Sequence, residues 1–437
     1  MKNYILTIII LAGMMLSATE LNLETAWQKV LANNSQLQSQ QLTMKSRIAD
    51  VKLSLYDLLP SGSISGSYNR SGKNDLDEDS MGWRMSLSQS LFQGGKLTGN
   101  LKNSVKVLLQ SMENVKELRL DLRMQLESKY YNVLKLQENL QTARQQQGFL
   151  NTNLATAQVR FDNGSLSRSD LLQLRSQKAQ QDVTILRAEN SLQMALNDLE
   201  NFLGLREEIE LSAIDLGPYE NIITDLENWQ IADINAKQTE LIKVALEKNP
   251  SIQVNKLSVD ISEVGVKTAK GNFLPSFSMS LSKSWNYQYF SDDPEGSLSL
   301  GLSASLPFFP IGDKVENYTK SRYALKQSEL SLQQNQLDLE NSLKSSLLNL
   351  VAGVQEIRAA AMARDYAQES YLQAEESFAN RIITANELLN TQIALTTAEN
   401  AVTSARYDFL GYKGELQKSL GIASEEDLWD LLLNSEE

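Results

Sequence analysis

Apolar and polar residues alternate strictly in two parts of the chain, and this alternation predicts two β-hairpins. A period of two places successive side chains on opposite faces of a sheet. We expect strands at about residues 61–69 and 82–92, and again at about 276–286 and 297–307. Serines occupy most positions on one face of each hairpin. The other face is apolar, and its residues are Ile64, Gly66, Tyr68, Trp83, Met85, Leu87, Leu91, Phe277, Met279, Leu281, Trp285, Leu298, Leu300, Leu302 and Leu306.

A second pattern, with apolar residues at steps of three or four, predicts amphipathic helices. It extends through residues 96–160 and 313–377, which contain no proline. Both helices are therefore expected to be uninterrupted and unusually long. Shorter helices are expected at about 35–57 and 169–203. Each half of the chain thus has a helix, two strands, a very long helix, a tight turn and a shorter helix.

Short motifs recur at a nearly constant spacing, which indicates that one unit is present twice. Leu-Pro-Ser occurs at 59–61 and at 274–276, a spacing of 215 (274 minus 59). Leu203-Gly204 recurs as Leu420-Gly421, a spacing of 217 (420 minus 203). Such a duplication predicts a pseudo-symmetric assembly. The expected division is a first repeat at 19–205, a connector without a clear period at 206–236, a second repeat at 237–422 and a C-terminal tail at 423–437.

The first residues of the chain have the pattern of a secretory signal peptide. Lys2 precedes an apolar run from Tyr4 to Leu16, which ends in Ser17-Ala18. A membrane anchor, the alternative, needs about 20 apolar residues, and this run is shorter. We expect residues 1–18 to direct the rest of the chain beyond the inner membrane.

The serine-rich faces favour a water-filled β-barrel over an ordinary soluble sheet, although both would show the alternation. Strands of about ten tilted residues fit a transmembrane barrel. Four strands per chain are too few, because the smallest such barrels have about eight. An open sheet edge in lipid would also leave backbone amides unpaired. The chain must therefore oligomerise, and the residues alone leave open whether two or three copies are needed.

The composition argues against a catalytic function or a metal site, and against nucleic acid as a partner. The chain has no His and no Cys, which removes the imidazole base, the thiolate nucleophile and the usual ligands of zinc, copper and iron. We expect no catalytic residue, no cofactor and no metal site. The net charge of −13 repels phosphate backbones. Acidic stretches at 74–79 and 291–295 are expected to be solvated loops at the outer rim, with a cation-collecting mouth as the alternative. The first stretch lacks the glycine and the distal glutamate of a calcium loop.

Further motifs stand where the predicted strands and long helices end. They are Leu91-Phe92-Gln93-Gly94-Gly95, Leu306-Pro307-Phe308-Phe309, Arg160-Phe161-Asp162-Asn163-Gly164 and Ser377-Phe378-Ala379-Asn380. Together with the two Leu-Pro pairs, and over about residues 21–422, they resemble the TolC-type outer-membrane efflux protein family.

The resemblance implies a fold that is mainly α with a transmembrane β part. In such a homotrimer, a twelve-stranded β-barrel in the outer membrane continues into an α-helical barrel in the periplasm. The implied function is the exit duct of a tripartite efflux or type I secretion system, passing small molecules or proteins to the exterior. The implied partners are outer-membrane lipid, a periplasmic membrane-fusion adaptor and an inner-membrane pump of the RND, ABC or MFS type.

The same resemblance suggests which residues form the working end. It implies a periplasmic entrance with Ser169, Asp170, Glu387 and Asn390. We expect the two helix-to-helix turns to dock the adaptor through Phe161, Asn163, Gly164, Leu166, Phe378, Asn380, Arg381 and Thr384. The sequence departs from the family pattern at three positions, which are Arg381 in place of a glycine, Ile383 in place of an arginine and Asn390 in place of a carboxylate. Asp170 has an alternative role as a helix N-terminal carboxylate, with Ser167 or Ser169 as the cap.

Two other functions compete with the duct. A structural periplasmic coiled-coil protein would have the long helices but no use for the strands. A hydrolase that uses only carboxylates would need two of them held about 5 to 9.5 Å apart in a rigid cleft. No pocket-forming α/β pattern surrounds any Asp or Glu pair in the sequence, so an enzyme is not expected.

Overall fold

The computed structural model describes residues 20–73, 76–205, 209–214, 217–288 and 295–433. The predicted signal peptide and most of the second acidic loop lie outside these residues. The strands are β1 Glu20–Leu21, β2 Ser61–Lys73, β3 Leu76–Gln93, β4 Glu210–Leu211, β5 Ser276–Gln288 and β6 Glu295–Ser305. The helices are α1 Leu23–Asn33, α2 Ser35–Tyr56, α3 Lys96–Asp162, α4 Arg168–Leu203, α5 Glu220–Glu227, α6 Ile231–Lys248, α7 Pro250–Gly271, α8 Gly312–Ala379, α9 Ala385–Leu420 and α10 Glu425–Leu433.

The helix lengths reflect the duplication. The long helices α3 and α8 have 67 and 68 residues, and the helices that follow them, α4 and α9, have 36 each. Helix α5 and the start of α6 fall in the connector, where the sequence shows no clear period. The reason is length, because α5 has only 8 residues and completes too few turns to show a helical period. Among the described helices, none is both long enough and apolar enough to cross a membrane.

The chain divides into two compact units. One unit consists of residues 35–121, 235–345 and 417–437 and contains a four-stranded sheet in the order β2-β3-β5-β6. All neighbouring strands are antiparallel, and the register agrees with the alternation in the sequence. Trp83 lies opposite Trp285 on the apolar side. On the other side serine hydroxyls bond across the strands, as between Ser282 and Ser299 at 2.8 Å.

The strands differ from their expected limits. Strand β3 begins at Leu76, not near residue 82, because backbone pairing with β2 continues where the side chains no longer alternate. Strand β6 ends at Ser305, not at 307, where a proline has no N–H to donate. A bulge between Ser90 and Phe92 shifts the register, so Phe92, and not Leu91, lies opposite Phe277. The two rings pack with centroids 6.4 Å apart.

Two glycines bring backbone segments into direct contact within this unit. Gly94 follows β3 with a φ of 60°, and Gly271 is the last residue of α7. A Cβ atom on Gly271 would overlap the carbonyl oxygen of Gly94. The chain therefore needs glycine at both positions, for the positive φ at one and for the close approach at the other.

The other unit consists of residues up to 34, 122–234 and 346–416. Here the C-terminal end of α3 turns into α4, and the C-terminal end of α8 turns into α9. The four helix ends share one apolar cluster, formed by Leu150, Ala157, Leu171, Leu174, Tyr371, Ala374, Phe378, Ala385, Leu388, Leu389 and Leu395. We call residues 146–175 the first hairpin and residues 363–392 the second hairpin.

Candidate functional site

The first hairpin reverses direction within five residues, 163–167, between α3 and α4. Gly164 adopts the left-handed conformation with a φ of 70°. This lets the Ser165 N–H donate to the Arg160 carbonyl at 2.8 Å, and the Ser165 hydroxyl donates to the same oxygen at 3.0 Å. The last carbonyls of α3 are therefore hydrogen-bonded by the turn itself.

The second hairpin closes in the same way without a glycine. Arg381 adopts a φ of 66°, and the Ile382 N–H donates to the Ser377 carbonyl at 2.8 Å. A residue with a Cβ atom pays roughly 1–2 kcal/mol for this conformation. The first turn has a glycine at this position and the second has an arginine, from which different backbone conformations are expected. The structure has the same left-handed conformation in both turns.

Each turn leads into a helix whose first residues are capped. The Ser167 hydroxyl accepts the Asp170 N–H at 3.1 Å and donates to the Asp170 carboxylate at 2.8 Å. Ser167 rather than Ser169 is therefore the cap of α4. In the second hairpin, Glu387 accepts the Thr384 N–H at 2.8 Å, while its own N–H donates to the Thr384 hydroxyl at 3.3 Å. This reciprocal pair is a capping box.

The capping box also sets the ionisation of Glu387. The backbone N–H of Thr384, and after it the Thr384 hydroxyl at 2.9 Å, stabilise the charged carboxylate and lower the pKa of Glu387. Glu387 therefore stays negatively charged over the whole neutral range. Both candidate entrance carboxylates, Asp170 and Glu387, stand at helix N-termini, where the helix dipole favours negative charge.

Polar contacts join the two hairpins across their shared apolar cluster. The Arg160 guanidinium lies 4.5 Å from the centre of the Phe378 ring and donates to the Ala379 carbonyl at 2.9 Å. Between α4 and α9, the Gln173 amide donates to the Asn386 side-chain oxygen at 2.8 Å. Sequence reasoning missed the contacts of all three polar side chains, because each contact joins residues more than 200 positions apart.

The sequence-predicted residues fall into two groups. Ser169, Glu387 and Asn390 are exposed and Asp170 is half-buried. Of the residues expected to dock an adaptor, Phe378 is buried in the apolar cluster, and Phe161 and Leu166 pack against it. These three side chains stabilise the turns by packing in or against the apolar cluster. The exposed ones are Asn163, Gly164, Asn380, Arg381 and Thr384.

A second polar cluster lies further along the same helices. Glu138 of α3 accepts the Tyr407 hydroxyl at 2.7 Å and the Thr403 hydroxyl at 3.0 Å, both from α9. Burial, together with the neighbouring carboxylate, raises the pKa of Tyr407, so the phenol keeps its proton. Lys135 and Asp408 pair nearby at 3.1 Å. Among the described residues, no group of three or more acidic side chains could hold a metal ion.

Comparison with known proteins gives a match to outer membrane efflux proteins over residues 26–205 and 241–422. The alkaline protease secretion protein AprF of Pseudomonas aeruginosa is 25% identical, over 82% of this chain and 73% of its own length. The outer membrane protein TolC of Vibrio cholerae is 22% identical, over 94% of this chain and 93% of its own. The TolC of Escherichia coli is 23% identical, over 95% and 84%.

Solved structures share the fold. The channel protein CusC superposes with a TM-score of 0.82 at 17% identity, covering 93% of both chains. VceC of Vibrio cholerae superposes with a TM-score of 0.77 at 14% identity, covering 91% of this chain and 96% of its own.

Proposed function

The chain belongs to the outer membrane efflux protein family, and from this premise we propose that three copies of it close a single export duct. The protein resides in the outer membrane and is the exit duct of an efflux or type I secretion system. The proposed trimer forms one twelve-stranded β-barrel in the membrane, continuous with an α-helical barrel in the periplasm. Family members are channels and not enzymes, which supports transport as the role of this chain.

The two-faced sheet is the observation that supports the trimer. Its apolar face is exposed in the single chain, as at Leu300, which is 73% exposed, whereas its other face is a ladder of serine hydroxyls. Lipid covers such an apolar face, and water fills such a polar one. Strands β2 and β6 are the edges of the sheet. Backbone groups that face outward from an edge strand need partners in a membrane, and neighbouring copies supply them.

We assign the periplasmic entrance to Ser169, Asp170, Glu387 and Asn390. Threefold symmetry places three copies of each of these residues in a ring around the axis. The carboxylates within such a ring repel one another and attract cations. A closed entrance therefore needs hydrogen bonds between the hairpins to offset the repulsion.

We assign adaptor docking to the exposed parts of the two turns, around residues 161–166 and 378–384. A trimer presents six such tips, and all of them have the same backbone shape. The partners on this assignment are a periplasmic membrane-fusion adaptor and an inner-membrane pump of the RND, ABC or MFS type. The names of AprF and of PrtF, the proteases secretion protein of Dickeya chrysanthemi, refer to protein secretion, and that of BepC of Brucella suis refers to efflux.

Cell fractionation and mass measurement test the proposal together. The mature protein should require detergent for extraction from the outer membrane, and its detergent-corrected mass should be that of three chains. Recovery as a monomer from the soluble periplasm would refute the duct.

A further inference from the structure

A lysine interrupts the apolar face of the four-stranded sheet. Cross-strand pairing places Lys283 of β5 between Met85 of β3 and Leu298 of β6, in the register of the apolar residues. The next pair on this face is Trp83 with Trp285, on the side where β5 leads into β6, which we call the loop end of the sheet. A charge on a lipid-facing surface is destabilising near the membrane midplane and costs less near an aromatic girdle. The position of Lys283 therefore requires a partner or an interface for its charge.

The side chain of Lys283 is directed toward the loop end. Its ammonium lies 5.8 Å from the centre of the Trp285 ring. A Cβ atom built on Gly296 would lie 3.3 Å from the Lys283 Nζ, so the lysine occupies the space beside this glycine. Trp285 and Gly296 lie opposite each other, one pair beyond Lys283 and Leu298 on this face. The methylene groups thus cover apolar surface while the charge moves away from the midplane.

Other polar side chains on this face have partners within the chain. The Gln89 amide donates to the Leu58 carbonyl at 3.1 Å and to the Ser90 carbonyl at 2.9 Å. Arg70 and Asp79, nearer the loop end, form an ion pair at 3.8 Å.

Lys283 differs from these residues. Among the side chains that the structure describes, none gives it an acidic partner, and the Trp285 ring is the group that faces its ammonium. An aromatic ring attracts a cation but does not neutralise it. The apolar face therefore carries one positive charge that the described residues leave uncompensated.

A groove of about 720 Å³ opens on the sheet beside Lys283. Its walls are mostly apolar, and they include Ile64, Met85, Leu87, Leu281, Trp285 and Leu298. Lys283 is the charged residue among those that line it. A molecule that combines an apolar chain with an anionic group matches both features of this groove.

We propose that Lys283 and this groove bind an anionic lipid, with the lipid phosphate on the Lys283 ammonium and an acyl chain along the groove. The inference rests on the proposed trimer, because the apolar face meets lipid only in a closed barrel. With the helices in the periplasm, the loop end faces the exterior, so the lipid belongs to the outer leaflet. Threefold symmetry gives three such sites, one for each copy.

Charge complementarity selects an anionic lipid over a zwitterionic one. Basic side chains near a membrane surface attract anionic headgroups. The phosphate of a choline lipid already has a positive charge within its own headgroup, so it gains less from Lys283. Tryptophan rings favour the level of the headgroups, and Trp83 and Trp285 place the Lys283 ammonium at that level.

Native mass spectrometry of the full-length protein in detergent tests the site. Phosphatidylglycerol and phosphatidylcholine with identical acyl chains are added at equal concentrations, and the lipids retained by the protein are counted. The natural protein should prefer phosphatidylglycerol, with saturation at three per trimer. Lys283→Gln should lower this preference about fivefold, the effect expected for one lysine near a membrane surface. Lys283→Arg keeps the charge and should preserve the preference.

The matched control removes the same charge from the other face of the sheet. Arg84 lies opposite Ser65 and Ser284, on the serine-lined face, so Arg84→Gln should keep the natural preference. An equal loss in both variants would mean that net charge, and not a site at Lys283, selects the lipid. Inorganic phosphate at the concentration of the lipid should not displace it, because phosphate has no chain to fill the groove. Displacement would overturn the lipid as the ligand.

The mass of the protein separates failure of the site from failure of the trimer. A trimer that retains both lipids equally, or a Lys283→Gln trimer with the full preference, overturns the site and leaves the trimer standing. A monomeric mass for the natural protein refutes the trimer and the lipid site with it. If Lys283→Gln does not assemble, Lys283→Leu continues the apolar face and is judged by the same loss of preference.

Discussion

Gly164 and Arg381 occupy equivalent positions in the two hairpin turns and share a left-handed backbone, with φ of 70° and 66°. The hydrogen bonds that close each turn require this conformation, from Ser165 to Arg160 and from Ile382 to Ser377. Glycine adopts it without strain, whereas arginine does not. The second turn therefore carries a local strain that the first one lacks.

Relief of this strain should stabilise the protein. We expect Arg381→Gly to raise the stability of the second hairpin by about 1 kcal/mol. The matched change Gly164→Ala should lower stability by a similar amount, since a Cβ there meets nothing within 4 Å and only the backbone is strained. Thermal unfolding of the detergent-solubilised variants would measure both effects. Shifts of the same sign in both variants would contradict the argument.

The contact between Gly94 and Gly271 should tolerate no side chain. Gly271→Ala places a Cβ on the Gly94 carbonyl oxygen, and the backbone has to move to accommodate it. We expect a loss of at least about 2 kcal/mol, at the upper part of the range for overpacking. Gly265→Ala on the same helix is the control, because its Cβ meets nothing within 4 Å and alanine is the better helix former. Equal free energies of unfolding for the two variants would mean that the close approach of Gly271 to Gly94 does not affect stability.

The register of the sheet predicts opposite results for neighbouring residues. Leu300→Arg places a charge on the apolar face and should cost roughly 2 to 4 kcal/mol if that face meets the membrane midplane. Ser299→Arg turns the same charge toward water and loses only the bond to Ser282, 2.8 Å long. The yield of trimer in the outer membrane would report the difference. Equal losses would mean that the assigned faces are wrong.

Glu387 should make the second hairpin sensitive to acid. Its folded pKa is lowered from the ordinary 4.5, so its stabilising effect is complete above that pH and is lost as the pH falls through the folded value. The difference in melting temperature between the natural protein and Glu387→Gln should therefore shrink in acid. Thr384→Val removes the hydroxyl but keeps the backbone N–H, the larger cause, and should preserve most of the pH dependence. A difference that is constant with pH would contradict the assignment.

The charge of the entrance can be tested apart from helix capping. Asp170→Asn with Glu387→Gln removes both charges but keeps oxygens that can accept the capping hydrogen bonds. We expect lower cation selectivity in planar bilayers, since the negative rings are gone. Asp170→Ala with Glu387→Ala also removes the side-chain oxygens that accept hydrogen bonds from Ser167 and Thr384, and should in addition raise the conductance. If selectivity does not change in either variant, the two carboxylates act only through their hydrogen bonds at the helix N-termini.

The sequence by itself determined the strand cores of the four-stranded sheet, the long helices and their duplication. Strict alternation locates the strand cores, and proline-free runs of period three to four locate α3 and α8, because both periods are local properties of the backbone. The absence of His and Cys rules out an imidazole base and a thiolate nucleophile, and this follows from the composition alone. The family motifs stand at the turns, where we propose the entrance and the docking tips.

Only the tertiary structure decided how those elements meet. The bulge that puts Phe92 opposite Phe277 depends on segments 185 residues apart (277 minus 92), and the approach of Gly271 to Gly94 on segments 177 residues apart (271 minus 94). The choice of Ser167 over Ser169 as the cap is local, but both serines satisfy the sequence rule, and only the backbone geometry separates them. Arg160 reaches Ala379 across 219 positions, and no period in the sequence encodes such a contact. A periodic pattern predicts the local backbone conformation of a segment. Packing depends on contacts between segments that are distant in the sequence.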